Sequence, residues 1–417
     1  MQVKQHGLKN RVYKLLVMVL GLLLPQSGSA LGGEPSGDPP LTSVGLAAEG
    51  GLEPFLGESK FQAQTLFQGQ RFPNVVVATD GSVLATWGGR PSNHSYLVRR
   101  SSDGGATWEP TQTIAQPGFH GGGALVDERS GHVFLFVDGS HPPRSPQETI
   151  GDLEVYRSED HGKTWKKVDV VIQPDVNGFV PARHMAESGT TLRHGAKAGR
   201  LIRPARVYYG DVGDHPYGYN TAIFSDDGGT NWQPSAPFPA LGTGEGTLAE
   251  LADGRVYYNS RRHWAPEGEN PRMRWVAYSN DSGETWEDLS ISRVLPDGDQ
   301  NRDYGLMAGL VRLPIAERDI LVFSNIQSQA GRQGGTVWAS FDGGRTWPLK
   351  RLVEPGGFAY SSLAAGRPGT PSEGWIYLLF ETGGHPDSNG RIARFNLTWL
   401  LEGTPTDDGQ IPTWVSP

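Results

Sequence analysis

The sequence lacks two features that would favour common classes of function. None of its 417 residues is a cysteine, which excludes disulfide bonds, thiolate metal sites and cysteine nucleophiles. It also lacks an excess of basic charge, because the formal net charge is −8. Nucleic acid and anionic membranes are therefore not expected as partners. A binding site for an anion would have to be a local basic patch in an acidic protein.

A full membrane span is also missing at the N-terminus. The apolar run from Leu15 to Leu24 follows a basic region and is short for a span. Small residues follow it, with Gly28 and Ala30 in A-x-A-like positions. We therefore predict a signal peptide at residues 1–30 and a secreted or periplasmic protein without a membrane span in its mature chain. An uncleaved membrane anchor is the open alternative.

Turn-forming and aromatic residues are abundant. The chain has 57 glycines and 31 prolines, together with 12 tryptophans, 13 tyrosines and 15 phenylalanines. Many turns combined with many aromatic residues favour a folded all-β protein over disorder. Residues 31–58 are rich in glycine and proline with little periodicity, which predicts a linker.

One repeat dominates the remainder of the chain. It occurs as SSDGGATW from Ser101, SEDHGKTW from Ser158, SDDGGTNW from Ser225, SNDSGETW from Ser279 and SFDGGRTW from Ser340. The copies start roughly 55 to 65 residues apart, a period that suits one four-stranded propeller blade. Within each copy the Asp can accept hydrogen bonds from the turn, and the Trp can pack between strands.

Each repeat lies between strand-like runs. Two such runs, VVVAT and SVLATW, flank Asp80-Gly81, and Asp-Gly between strand-like runs indicates a hairpin. Five marked blades and one unmarked blade, closed by N- and C-terminal strands, predict a six-bladed β-propeller at residues 59–402. Residues 403–417 are predicted to be a C-terminal tail.

The repeat is the Asp box, and with it the chain resembles exo-sialidases. Asp boxes indicate the propeller fold strongly but function weakly, because they are turn and packing devices. The more specific resemblance begins with QRFPNVVVATDGSVLATWGGR, similar to the family's Arg-Ile-Pro segment, with Phe72 in place of Ile. It implies that Arg71 binds a carboxylate and that Arg90 lies in the pocket. GEGTLAELADGRVYYNSRR similarly implies Glu245 as the catalytic carboxylate and Arg261 as a second arginine.

Three further segments complete the resemblance. LVFSNIQSQAGRQGGTVWASFDGGRTW implies Arg332 as the third arginine, and GFAYSSLAAG implies Tyr360 as the nucleophile. WIYLLFE ends at Glu381, in the position of the carboxylate that orients the first arginine. The expected ligands are sialylated or other acidic-sugar glycans.

These residue types suit one chemistry. Guanidinium groups bind a carboxylate bidentately, and three of them would fix the orientation of an acidic sugar. A neutral phenol avoids the repulsion that a carboxylate nucleophile would meet from such a substrate. Sialidases with a Tyr nucleophile are a known exception to two-carboxylate hydrolysis. A phenol needs a base, a role that fits Glu245.

The resemblance fails at the general acid. Sialidases place an Asp a few residues after the equivalent of Arg90, but the segment GGRPSNHSYLVRRSSDGG has none before its Asp box. His94 is the nearest candidate acid, since its ordinary pKa of about 6.5 suits proton transfer. Asp152 and Glu187 are further candidates, and Glu187 stands where the family tends to have a smaller residue.

We therefore expect an exported retaining exo-glycosidase that releases a terminal sialic acid or a related acidic sugar. Two alternatives stay open. The propeller could act on a different acidic sugar with His94 as its acid, or it could be a non-catalytic carbohydrate-binding propeller. The chemistry requires no metal or organic cofactor, although a structural calcium ion is left open.

Overall fold

Antiparallel strands make up most of the regular structure in the computed structural model. The structure describes residues 45–88, 95–120, 123–138, 153–182, 187–208, 217–266, 268–301, 305–382 and 388–415, all within one compact unit, Ser43–Pro417. The strands form six separate sheets of four or five strands each.

The first strand of the chain, β1 (Phe61–Gln68), belongs to the last sheet. The first complete sheet is blade 1, with β2 (Arg71–Val77), β3 (Val83–Gly88), β4 (Tyr96–Ser101) and β5 (Gln112–Ala115). Blade 2 contains β6 (Phe119–His120), β7 (Leu125–Val126), β8 (Val133–Asp138), β9 (Leu153–Ser158) and β10 (Lys166–Val168). Blade 3 contains β11 (Val171–Ile172), β12 (Thr190–Thr191), β13 (Leu201–Val207), β14 (Tyr219–Ser225) and β15 (Asn231–Pro234).

The second half of the chain forms the other three sheets. Blade 4 contains β16 (Thr243–Glu250), β17 (Val256–Arg262), β18 (Met273–Ser279) and β19 (Glu287–Pro296). Blade 5 begins with β20 (Gly309–Arg312), β21 (Leu321–Ile326), β22 (Gln333–Ser340) and β23 (Leu349–Gly357). Blade 6 contains β24 (Ser361–Ala365), β25 (Ile376–Thr382), β26 (Asn389–Phe395) and the early strand β1.

Short elements precede the first strand, lie between strands or follow the last blade. Among the described residues they are the helix α1 (Leu397–Leu401), the strand β27 (Thr404–Pro405), which pairs with β23, and the 3-10 turns Glu53–Phe55, Gly195–Lys197 and Thr413–Val415. No helix among the described residues is long and apolar enough to cross a membrane.

The blades close into a ring. Contacts between neighbouring inner strands run around the ring: β2 contacts β7, and β7 contacts β12. In the same blade as β12, β13 contacts β16 of the next blade. Then β16 contacts β20, β20 contacts β24, and β24 contacts β2. The early strand β1 pairs antiparallel with β26, from Phe61 opposite Phe395 to Gln68 opposite Asn389. The predicted all-β, six-bladed propeller is confirmed, with the five Asp boxes on blades 1 to 5.

The hydrophobic core is divided among the gaps between blades. In the described part of the chain, six clusters of buried apolar side chains occupy these gaps, each drawing residues from two adjacent blades. Trp232 from blade 3, for example, packs edge-on against Phe136 from blade 2. Burial of these flat faces stabilises the ring, because apolar surface removed from water contributes about 25 cal/mol per Å².

Each Asp box is a self-contained hydrogen-bonded turn. In the first box, Ser101 Oγ donates to Asp103 Oδ1 over 2.7 Å, and the amides of Ala106 and Thr107 donate to the same carboxylate. Burial opposes ionisation, but these hydrogen bonds outweigh it and lower the pKa of Asp103 to about 2. The Asp therefore holds the turn between the third and fourth strands, as the sequence indicated.

Residues that precede and follow the propeller strands in the sequence also pack against the propeller. Phe55 is buried in the cluster between blades 5 and 6, and Gly50 forms a bridge with Ile315. At the other end, β27 adds a fifth strand to blade 5, and Val415 is buried. The described residues of the expected linker and tail thus extend the packed surface of blades 5 and 6.

Candidate active site

Glu245 lies on a β-bulge at the start of the inner strand of blade 4. The pairing of β16 with β17 shifts between Gly244 and Gly246, and Glu245 has a φ of 51°. Left-handed backbone is uncommon for a residue with a side chain and re-aims that side chain. A Cβ on Gly246 would lie 2.4 Å from the ring of Tyr258. The GEG sequence therefore permits the bulge that buries Glu245 near the propeller axis.

A second bulge places Arg71 on blade 1. The pairing of β2 with β3 shifts between Arg71 and Asn74, and Phe72 has a φ of 66°. Glu381 stabilises this bulge from blade 6: it accepts a hydrogen bond from the Phe72 amide over 2.7 Å and one from Arg71 Nη2 over 3.2 Å. Glu381 is fully buried, so its carboxylate fixes both the backbone and the guanidinium of the RFP segment.

Tyr360 and Glu245 form a buried hydrogen-bonded pair. Tyr360, immediately before β24, donates its hydroxyl to Glu245 Oε1 over 2.7 Å, across 115 residues of sequence. Burial and the charge of Glu245 raise the pKa of Tyr360 to about 12, against the opposing effect of nearby arginines. The phenol is therefore neutral and already directed at a carboxylate that can accept its proton.

Three arginines surround this pair, each from a different blade. Arg261 on blade 4 forms a buried ion pair with Glu245. The guanidinium carbons of Arg71 and Arg332 lie 5.3 Å and 5.0 Å from the centre of the Tyr360 ring. Burial alone would raise the pKa of Glu245, but the neighbouring positive charges, with Arg261 first, hold it well below its usual range. The site combines an ionised carboxylate with a strongly positive surrounding.

The structure thus brings together six of the seven residues that the motifs indicated: Arg71, Glu245, Arg261, Arg332, Tyr360 and Glu381. The seventh, Arg90, lies outside the described residues, and so do the candidate acids His94 and Asp152. Glu187 is described and is buried on blade 3, beside Ser362. The catalytic and binding roles themselves stay predictions.

A supporting arginine on blade 4 escaped the motif analysis. Arg274 is fully buried and donates to Asn259 over 2.7 Å, to Asp297 over 2.8 Å and to the main-chain oxygen of Glu245 over 3.4 Å. Asp297 in turn accepts a hydrogen bond from the Arg262 amide over 2.7 Å. This network holds the backbone on both sides of the Glu245–Arg261 pair.

Arg206, on blade 3, is a second arginine that the motif analysis missed. It is buried, and its charge is among those that lower the pKa of Glu245. Arg206 lies five residues after Leu201, which pairs with Ser225, the serine of the blade 3 Asp box. Arg261 likewise lies five residues after Val256, which pairs with the Asp-box serine Ser279 in blade 4. Once the strands are aligned by their pairing, Arg206 at the end of LIRPAR occupies the position that Arg261 has in blade 4. Among the described residues, no group of three or more His, Asp or Glu side chains is arranged to hold a metal ion.

Fold and site together define a class: a six-bladed Asp-box propeller with an arginine-rich centre around a Tyr–Glu pair. The family model described as "BNR repeat-like domain" matches residues 99–370, more than half of the chain. The chain belongs to this BNR-repeat family. The resemblance to sialidases that the motifs indicated is confirmed at this level, because the curated relatives carry that name.

The similarity to curated proteins is moderate and covers part of each relative. A sialidase of Micromonospora viridifaciens is 32% identical over 392 residues, covering 88% of this chain and 55% of the relative. A sialidase of Bacteroides fragilis is 27% identical over 333 residues, covering 70% of this chain and 57% of the relative. The chain thus spans about half the length of these curated relatives.

Solved structures of sialidases share the fold. A Hadza microbial sialidase superposes with a TM-score of 0.59 at 25% identity, covering 79% of this chain and 66% of that one. The intramolecular trans-sialidase from Ruminococcus gnavus gives a TM-score of 0.58 at 16% identity, covering 79% of this chain and 95% of that one. At that identity the second similarity concerns the fold alone.

The contacts of Glu381 generate a test of the arginine cluster. Replacing Glu381 with Gln removes the charge that holds Arg71, and charge-assisted hydrogen bonds are worth roughly 1.5–3 kcal/mol. We expect affinity for an acidic monosaccharide to fall about 10- to 100-fold, as measured by calorimetry. Glu354→Gln, which removes a peripheral ion pair with Arg391, is the matched control. Equal affinity in both variants would show that Glu381 does not support anion binding.

Proposed function

We propose that the protein is a retaining exo-glycosidase that releases a terminal sialic acid or a related acidic sugar from glycans. The observation that carries this proposal is the hydrogen bond of 2.7 Å between Tyr360 and Glu245 at the centre of three arginines. A pocket that only bound an anion would need the arginines but would have no use for a phenol joined to a buried base.

In the proposed reaction, Arg71, Arg261 and Arg332 bind the sugar carboxylate and orient the anomeric carbon over Tyr360. The phenol oxygen attacks that carbon, its proton passes to Glu245, and the bond to the leaving oxygen breaks as that oxygen takes a proton from a general acid. A water molecule then gives a proton to the conjugate base of the general acid and attacks the anomeric carbon of the glycosyl-tyrosine. Tyr360 leaves and regains its proton from Glu245, so the anomeric configuration is retained overall.

The charges around the pair give this sequence of steps a physical basis. Before a substrate binds, the Tyr360 pKa of about 12 and the lowered pKa of Glu245 keep the proton on the phenol. When a substrate carboxylate engages Arg261, that guanidinium stabilises Glu245 less, and Glu245 becomes a stronger base. Binding of the correct anion would therefore activate the nucleophile, which couples recognition to chemistry.

The relatives support the same activity. The curated relatives described above are named sialidases. The two alternatives predict different results: a binding-only propeller would show no turnover, and a propeller for another acidic sugar would show turnover without sialoside preference.

Substitution of the nucleophile tests the proposal directly. Tyr360→Phe removes one oxygen and leaves the ring between Arg71 and Arg332, so binding should persist while attack is lost. We expect hydrolysis of an aryl sialoside to fall by at least about 10³-fold, with affinity for a sialic acid analogue within about threefold. In the wild type, a mechanism-based fluorinated sialosyl probe should label Tyr360 as judged by peptide mass spectrometry. Turnover that survives in Tyr360→Phe would exclude this mechanism.

The identity of the general acid needs a separate comparison of leaving groups. A phenolate leaves without protonation, whereas a sugar alcohol needs a proton as the bond breaks, an effect worth about 10²–10⁴-fold. If His94 supplies that proton, His94→Ala should slow a natural sialoside far more than the aryl one. The ratio of the two rates, in wild type and variant, is the measurement. An unchanged ratio with good activity on the natural glycoside would exclude His94 and direct attention to Asp152.

Export from the cytoplasm belongs to the same proposal, because the N-terminal sequence has the pattern of a signal peptide. Residues 1–30, which predict the signal peptide, lie outside the described residues. N-terminal sequencing of protein purified from the culture medium or periplasm should give Leu31 as the first residue. Recovery of the chain with Met1 intact in a membrane fraction would favour the uncleaved anchor.

A further inference from the structure

A buried carboxyl group to which the proposed mechanism assigns no step lies beside the strands of the Tyr–Glu pair. Glu187 precedes the inner strand of blade 3 and is 1% exposed. Ser362 on blade 6 donates its hydroxyl to Glu187 Oε1, and the Glu187 amide donates to the oxygen of Gly246 on blade 4 over 3.2 Å. Ser362 lies two residues after Tyr360, and Gly246 directly follows Glu245. Glu187 therefore connects the strands that carry both members of the pair.

Two other blades complete the network around Glu187. Asn74 on blade 1 donates to Ser362 Oγ over 3.2 Å and accepts from the hydroxyl of Ser188 over 2.9 Å and from the amide of Ala124 on blade 2 over 2.9 Å. The Val75 amide also donates to Ser362 Oγ, over 3.0 Å. Because Ser362 Oγ already accepts two hydrogen bonds, its own proton is directed to Glu187. The contact is thus specified by neighbours from several blades.

No cation compensates a charge on Glu187 among the described residues. Its carboxyl has no ion pair there, and its Oε2 atom has no hydrogen-bond partner in the same part of the chain. An ionised carboxylate without a partner is far costlier to bury than a neutral acid. In agreement, burial raises the pKa of Glu187 to about 8, although the Ser362 hydroxyl and the amides of Ser188 and Leu363 oppose the rise.

We propose that Glu187 is a positioning residue that, as a neutral carboxylic acid, holds the strand of Tyr360 in register with the strand of Glu245. This inference rests on the proposed function of that pair. Ionisation of Glu187 would place an uncompensated charge in the buried network that joins these two strands. The alignment of the phenol with Glu245 depends on those strands, so activity should decline as Glu187 loses its proton.

Among the described residues, the titratable and charged groups on segments packed against Glu187 come from three blades. Glu245, next to the Gly246 contact on blade 4, is ionised, and Tyr360, two residues before Ser362 on blade 6, is neutral. Arg203 on blade 3 lies near the main-chain oxygen of Glu187, since a Cβ on Gly123 would lie 2.4 Å from Arg203 Nη2 and 2.8 Å from that oxygen. Blade 1 presents the neutral amide of Asn74. Of these groups, Glu187 itself is the one that changes charge near pH 8.

The sign of the pH effect follows from the raised pKa. A group whose pKa is higher in the folded than in the unfolded protein stabilises the fold fully below its unfolded pKa, here 4.5. It loses that contribution as the pH rises towards its folded pKa, about 8 for Glu187. Wild-type stability should therefore fall between pH 5 and pH 8 through this group, and activity should fall around pH 8.

The main experiment compares Glu187→Gln and Glu187→Ala with the wild type from pH 5 to pH 10, using an aryl sialoside. Gln reproduces the neutral acid, so kcat at pH 6 should stay within about threefold of the wild type, and the decline near pH 8 should disappear. Ala removes the link between strands and should lower kcat about 10- to 100-fold, with KM within about threefold. Glu250→Gln, a buried carboxyl on the same strand as Glu245 whose pKa burial also raises, is the control and should keep the wild-type profile.

Ser362→Ala tests the hydrogen bond to Glu187 from the donor side, through a shift of the alkaline decline. Its hydroxyl lowers the pKa of Glu187, so its removal should move the alkaline decline to higher pH while kcat falls. A wild-type decline that persists in Glu187→Gln, or a Gln variant as impaired as the Ala variant at pH 6, would overturn the proposal. The second result would instead indicate that the proton of Glu187 takes part in the reaction.

Melting temperatures separate failure of this inference from failure of the proposed function, because they do not depend on turnover. Relative to the wild type, Glu187→Gln should gain stability between pH 5 and pH 8, whether or not the sialoside is cleaved. A constant difference across that range would contradict the neutral acid. Absence of wild-type turnover together with the expected gain would refute the proposed enzyme and, with it, the positioning role, while leaving the neutral carboxyl in place.

Discussion

The charge on Glu245 is the constraint around which the centre of the propeller is organised. A carboxylate with 1% of its surface exposed stays ionised only if positive charges and hydrogen bonds replace the water it has lost. Arg261 supplies the direct ion pair, Tyr360 donates to the second oxygen, and Arg274 holds the main-chain oxygen of the same residue. Removing any one of these partners would leave part of the charge uncompensated, so the residues of the site depend on one another.

The same structural feature, a β-bulge, positions Glu245 on one side of the site and Arg71 on the other. A β-bulge with a left-handed residue occurs at Glu245 on blade 4 and at Phe72 on blade 1. Such conformations cost on the order of 1–3 kcal/mol each and persist where neighbours enforce them. Glu381 enforces the bulge at Phe72, and the Arg274 network adjoins the one at Glu245. The paired strands of the blades thus compensate the backbone strain of the two bulges, which orient the side chains of Glu245 and Arg71.

The sequence predicted most of the fold because its strongest signal is local. Ser, Asp, Gly and Thr of an Asp box satisfy one another within seven residues, so each copy marks its turn without help from the rest of the chain. The order of the family motifs likewise indicated the residues that meet at the centre. The bulges at Phe72 and Glu245 were not predictable, since residues with side chains rarely adopt positive φ. The surroundings of Glu187 depend on Asn74 and Ser362, 113 and 175 residues away in the sequence, and no local pattern reports such a meeting.

The pairing of β1 with β26 links the order of synthesis to the assembly of the centre. Blade 6 holds β24, directly after Tyr360, and β25, which carries Glu381, yet its outer strand is the first strand of the chain. The ring can therefore close only after the last blade has emerged and met a strand made more than 300 residues earlier. Until then Glu245 and Arg261 have no phenol to contact, and Arg71 has no carboxylate to hold it. A nascent or truncated chain would contain most of the functional side chains without an assembled centre, so chemical competence appears at the same step as completion of the ring.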